Sequence, residues 1–127
     1  MVQISDSEKF IMDVLWSKSP QTAKSIINHL DKAQDWQDKT VKTLINRLLK
    51  KQAIGFEKKG REYLYYPLLE EQDYITSESE NFIAKVFKGK VSNLVAAFAK
   101  TDNLSVQEIS ELKQLLNDLE NDEATKR

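Results

Sequence analysis

Eight side chains in the stretch 38–51 could do chemistry together: Lys39, Thr40, Lys42, Thr43, Asn46, Arg47, Lys50 and Lys51. Each can donate a hydrogen bond and none is acidic. Lys58, Lys59 and Arg61 follow shortly after, so that within 37–66 eight basic residues meet only Asp38, Glu57 and Glu62, a local net charge of +5 in a chain whose total is −1. The chemistry this implies is recognition of a polyanion. Lysines suit phosphate oxygens, whereas Arg47 could read a guanine, Asn46 an adenine and the Thr43 methyl a thymine. Lys42, Lys50, Lys58, Lys59 and Arg61 are the residues expected to position, because phosphate contacts outnumber base contacts.

The elements that would carry these side chains can be read from periodicity. Val41, Leu44, Ile45, Leu48 and Leu49 recur at helical spacing and predict one buried stripe, which leaves the donors on the opposite face. Before this helix, Ser5-x-x-Glu8 is a capping box opening a helix to about Trp16, with Phe10, Ile11, Val14 and Leu15 on its inner face. Ser17-Lys18-Ser19-Pro20 stops that helix, and Thr22 can cap a second with Ala23, Ile26, Ile27 and Leu30 inward. After Ala53 the period changes. Ile54–Lys58 and Arg61–Tyr66 read as strands joined at Lys59-Gly60, with Pro67 ending the second. At least two of Tyr63, Tyr65 and Tyr66 should pack this hairpin onto the helices, and Trp16 and Trp36 should plug the core. His29 reads as a surface residue near a helix end.

Three amphipathic helices follow. The first, Asp73–Phe87, carries Ile75, Phe82, Ile83, Val86 and Phe87 and ends at a glycine cap at Gly89. The second carries Val91, Leu94, Val95 and Phe98, and the last, opened by a capping box at Ser105-x-x-Glu108, carries Val106, Ile109, Leu112, Leu115, Leu116 and Leu119. So thin a layer cannot bury all these faces, so a partner is expected, most simply a second copy meeting Ile75, Phe82, Val86, Leu94, Phe98, Ile109, Leu112 and Leu116. The expected fold is mostly α with a small β-hairpin: a winged helix-turn-helix at 1–70, a helical dimerisation region at 71–120 and a polar tail at 121–127.

Composition excludes several alternatives. Without Cys there is no disulfide, thiol nucleophile or zinc-thiolate site, and one His cannot build a metal cluster, so neither cofactor nor metal is expected. There is no Gly-rich phosphate loop and no G-x-S-x-G, so an enzyme is not expected. No long apolar run calls for membrane insertion, and the acidic N-terminus is unlike a signal peptide, which predicts a cytoplasmic chain. A winged helix docking onto an acidic protein is the second reading; steep salt dependence of binding would separate the two.

Four separated blocks carry a family resemblance. Trp36 with the run Lys39-Thr40-Val41-Lys42-Thr43-Leu44-Ile45-Asn46-Arg47-Leu48-Leu49-Lys50-Lys51 resembles the recognition helix of the penicillinase and methicillin-resistance repressors (BlaI/MecI/CopY type). Ser7-Glu8 with Val14-Leu15-Trp16 looks like the family's first helix, and Gly60-Arg61-x-Tyr63-x-Tyr65-x-Pro67-Leu68 looks like its wing. Leu94–Phe98 with Leu104-Ser105-x-x-Glu108-Ile109-x-x-Leu112 looks like its dimerisation helices, so that residues 4–119 are covered. The resemblance implies a homodimeric repressor on a dyad-symmetric double-stranded DNA operator, inactivated when its C-terminal region is cut, with a membrane sensor protease as the partner for that step. Three positions depart from the pattern. Gln37-Asp38 replaces Ser-Pro, although Asp38 could still cap the helix; Ala97-Phe98 aligns with the Asn-Phe bond that is cut in β-lactam-responsive members; and the Cys-x-Cys of the copper-responsive branch is missing.

Overall fold

A computed structural model describes residues 2–30 and 34–126. Its elements run α1 (Asp6–Ser17), α2 (Ala23–Leu30), α3 (Asp38–Lys50), β1 (Ile54–Lys59), β2 (Glu62–Pro67), α4 (Glu71–Phe87), α5 (Val91–Lys100) and α6 (Val106–Lys126). The chain packs as two compact units, Met1–Glu78 and Ser79–Arg127.

In the first unit, α1 starts where expected because the capping box closes both ways. The Ser5 hydroxyl accepts from the Glu8 amide at 3.1 Å, and a Glu8 carboxylate oxygen accepts from the Ser5 amide at 2.8 Å. Thr22 caps α2 by accepting from the Ser25 amide at 3.1 Å. The cap expected from Asp38 is not made. Gln37 occupies the N-cap position with no side-chain hydrogen bond, and Asp38 is already helical. There its carboxylate faces the positive end of the helix dipole rather than orphan amides.

The core joins Ile11, Met12 and Leu15 of α1, Ile26, Ile27 and Leu30 of α2, Val41, Leu44, Ile45 and Leu48 of α3, and Ala53 and Ile54 at the start of β1. The buried stripe of α1 differs from the expected one. Phe10 is exposed and meets Trp36 edge-on at 5.6 Å between ring centres, while Met12 and Glu8 are buried. The spacing 8, 11, 12, 15 is a better helical row than one containing Phe10, which shares its stripe with Asp6 and Asp13. Trp16 is half-buried; its indole N–H donates to the Leu69 carbonyl at 2.9 Å and its ring lies 5.5 Å from Tyr74, fastening the first turn of α4 to α1.

The hairpin is antiparallel with Ile54 opposite Pro67 and Lys59 opposite Glu62. The turn falls on Gly60 and Arg61, one residue later than expected, and Gly60 takes the left-handed backbone (φ 65°) that a tight turn requires. Gln21 forms an isolated antiparallel bridge to β2 at Tyr65. Its amide donates to the Tyr65 carbonyl at 2.9 Å and its carbonyl accepts from the Tyr65 amide at 2.8 Å. Its buried side chain donates to the Val14 and Lys18 carbonyls and accepts from the Ser25 hydroxyl. The wing is thereby tied to the α1–α2 turn.

In the second unit, α4 ends at Lys88 and Gly89, both with positive φ, and the Gly89 amide donates back to the Ile83 carbonyl. Ser105 accepts from the Glu108 amide at 3.1 Å at the start of α6. That helix continues to Lys126, so the segment read as a tail is polar but helical; it contains no Pro or Gly to stop it. No described helix is long and apolar enough to cross a membrane.

Candidate nucleic-acid interface

Burying Val41, Leu44, Ile45 and Leu48 leaves Lys39, Thr40, Lys42, Thr43, Asn46, Arg47 and Lys50 exposed on the other side of α3. The two ion pairs among the described residues, Lys9 with Asp13 and Lys51 with Glu8, involve none of these seven. Their charges are therefore not neutralised by any described residue. Thr43 is already committed in one respect: its hydroxyl donates to the Lys39 carbonyl at 2.9 Å, which leaves its methyl and a lone pair to face outward.

Lys51 does not join this face. Its ammonium donates to Glu8 Oε1 at 2.5 Å and to the Gln3 carbonyl at 2.9 Å. The reason is register: Lys51 continues the row of Leu44 and Leu48, which points at α1, whereas Lys50 lies on the donor row. The glutamate that receives it is 1% exposed, and its second oxygen has no hydrogen-bond partner among the described residues. Burial pushes the Glu8 carboxyl upward, but the hydrogen bond from Lys51, those from the Ser5 amide and hydroxyl, and the Lys51 charge together hold it below its ordinary 4.5. Glu8 was legible as a capping residue; its place in the row of Ile11, Met12 and Leu15 was the signal that it is also buried.

Lys58, Lys59 and Arg61 are exposed at the wing, on the same unit as the α3 face. Lys58 Nζ lies 5.9 Å from the centre of the Tyr63 ring, which also meets Phe56 edge-on at 5.1 Å. Tyr65 and Tyr66 are half-buried, and Tyr66 passes over Gly55 so closely that a Cβ there would meet its ring at 2.9 Å. Tyr63 stays 44% exposed. Burial raises the Tyr65 hydroxyl above its ordinary value of 10.0, with a smaller contribution from Tyr63.

Of the residues read as partner-facing, Ile75, Phe82, Val86, Phe98, Ile109 and Leu116 are exposed, and Leu94 and Leu112 are half-buried. Leu94, Phe98, Leu104, Leu112 and Leu115 line a cleft of about 330 Å³ within the second unit. Ala97 and Phe98 lie inside α5, and the Phe98 carbonyl accepts from the Thr101 amide at 3.2 Å.

The penicillinase repressor family model matches residues 4–118. The penicillinase repressor of Bacillus licheniformis is 38% identical over 119 residues, covering 94% of this chain and 93% of that one. The methicillin resistance regulatory protein MecI of Mammaliicoccus sciuri is 41% identical over 115 residues, covering 91% and 94%. Among solved structures, the DNA-binding domain of the repressor BlaI superposes with a TM-score of 0.53 at 40% identity, covering 57% of this chain and 89% of that domain. The monomeric form of Bacillus licheniformis BlaI, solved in complex with the blaP half-operator, superposes with a TM-score of 0.51 at the same identity, over 57% and 88%. The chain belongs to the penicillinase repressor family, whose members are DNA-binding transcriptional repressors and not enzymes.

Proposed function

We propose that this chain represses transcription by binding double-stranded DNA as a homodimer on a dyad-symmetric operator, with α3 in the major groove and the wing on the flanking backbone. The observation that carries the reading is the exposed donor face of α3, seven hydrogen-bonding side chains turned away from the core, none in an ion pair with a described residue, and flanked by a basic wing tip. A major groove of about 12 Å admits such a helix, and its acceptor-rich edges and phosphates complement donors. The similarity to a BlaI form solved on a half-operator supports the same use here. Lys39, Lys42 and Lys50 serve phosphates, and Asn46 and Arg47 serve base edges.

A single winged helix makes too few contacts for tight operator binding, and joining two raises affinity by effective concentration, typically ~10²–10⁴-fold. The exposed Phe98, Ile109 and Leu116 support pairing through the second unit. Release follows from losing that pairing. Cutting at Ala97–Phe98 by a membrane sensor protease would detach α6, but the bond lies in a helix and must first open locally to enter a protease in extended form.

The test is a mobility shift with the full chain on mixed-sequence and selected duplexes across a salt series. DNA binding predicts that log K falls linearly with log salt, with a slope of about 0.9 per phosphate neutralised. Shallow salt dependence with capture of an acidic protein would favour the docking reading instead.

A further inference from the structure

Between the wing and α3 lies a cleft of about 280 Å³ lined by Ala23, Lys42, Ile45, Asn46, Tyr63 and Tyr65. Among the described residues no carboxylate lines it. An adjoining cleft that shares Ala23, Tyr63 and Tyr65 is bordered by Lys24 and Glu62. We propose that the inner cleft is a seat for one phosphate of the DNA backbone, held by the Tyr63 hydroxyl together with Lys42. The proposal rests on the DNA-binding reading and adds a contact from the wing's inner face to those of its basic tip.

Three observations lead to a phosphate. Lys42 and Asn46 are one turn apart and form the row of α3 nearest the wing, so a helix seated in the major groove runs the bordering strand past this row. The Tyr63 ring is braced edge-on by Phe56 at 5.1 Å and by the Lys58 ammonium at 5.9 Å, while its hydroxyl makes no hydrogen bond to any described residue. Strand alternation puts Tyr63 and Tyr65 on one face, and Tyr65 is locked by both backbone hydrogen bonds to Gln21, which sets the position of its neighbour. The site thus brings a hydroxyl and an ammonium, both donors, to one cleft with no carboxylate among its described lining residues. A phosphodiester oxygen is the acceptor that a backbone-tracking strand presents there, and a contact of this kind is independent of sequence.

The experiment compares Tyr63→Phe, Lys42→Gln and the double variant with the full-length parent, on a selected operator and on a mixed-sequence duplex, over a salt series. Tyr63→Phe keeps the ring and its packing. It is expected to weaken both duplexes equally, by about tenfold, with an unchanged salt slope, as loss of a neutral donor to a charged acceptor requires. Lys42→Gln should lower the slope by about 1, and the double variant should lose less than the product of the two, because both act on one phosphate. Ethylation interference should show one backbone phosphate whose modification matters less in Tyr63→Phe and not at all in the double variant. Unchanged binding by Tyr63→Phe, a loss confined to the operator, or fully independent effects would overturn the phosphate seat. If the parent chain itself bound neither duplex, the DNA-binding reading would fail, whereas loss in Lys59→Ala without loss in Tyr63→Phe removes only the seat.

Discussion

Lys51, the C-cap of α3, reaches back to Glu8 in the first turn of α1, and their side chains meet at 2.5 Å. The pair fixes the end of α3 against the element that begins the domain. Its carboxylate is buried while its ammonium remains partly open to solvent, with 37% of the Lys51 side chain exposed. Removing the lysine leaves a buried charge with only Ser5 as donor.

Lys51→Met should therefore lower stability by about 1–3 kcal/mol, the lower part of the range for breaking a buried pair because one partner is half-open. In a Glu8→Gln background the same change should cost less. Urea titration of the four proteins checks the coupling. DNA binding supplies the second arm: Lys51→Met should keep the parent's salt slope, whereas Lys50→Met should reduce it by about 1 if that lysine contacts a phosphate.

The pH dependence follows from the lowered Glu8 carboxyl. A group that is harder to protonate in the folded state adds stability above its unfolded value, here an ordinary 4.5, and loses it as pH falls through the folded value. The parent should weaken on acidification below about pH 4.5, and Glu8→Gln should weaken less over the same window. Equal slopes of unfolding free energy against pH in the two proteins would show that Glu8 is not the group responsible.

Base readout and positioning separate by specificity. Arg47→Ala or Asn46→Ala should cost about 1–3 kcal/mol on the operator while sparing mixed-sequence DNA. Lys58→Ala and Lys59→Ala should weaken both. A fluorescence titration against both duplexes decides it, and equal losses for all four variants would move base readout away from α3.

Dimerisation predicts a separable defect. Leu116, 60% exposed on α6, and Phe98, 45% exposed on α5, are apolar without cover. Leu116→Glu or Phe98→Asp should yield a monomer by sedimentation, with unchanged helix content and a large loss of operator affinity set by the vanished effective concentration, about 10²-fold or more. A parent chain that sediments as a monomer at micromolar concentration would remove this explanation of the exposed faces.

The sequence by itself determined the element order, both capping boxes, the buried stripe of α3 and, by exclusion, its donor face. These are local properties: a 3.6-residue period and an S-x-x-E spacing act within one helix and do not depend on what it packs against. The wing was legible for the same reason, with only its turn displaced by one residue. Tertiary structure decided what depends on distant partners. Lys50 and Lys51 are chemically identical neighbours, yet one faces outward and the other is taken by a glutamate 43 residues earlier. Phe10 and Met12 are both apolar; the row 8, 11, 12, 15 favours Met12, and the approach of α2 and α3 buries it while Phe10 stays exposed. Gln21 carries no local signal at all, although it joins the wing to the α1–α2 turn through four neighbours. Which of three tyrosines stays exposed beside the α3 flank was set by strand alternation together with that junction, a relation that exists only once the chain has folded.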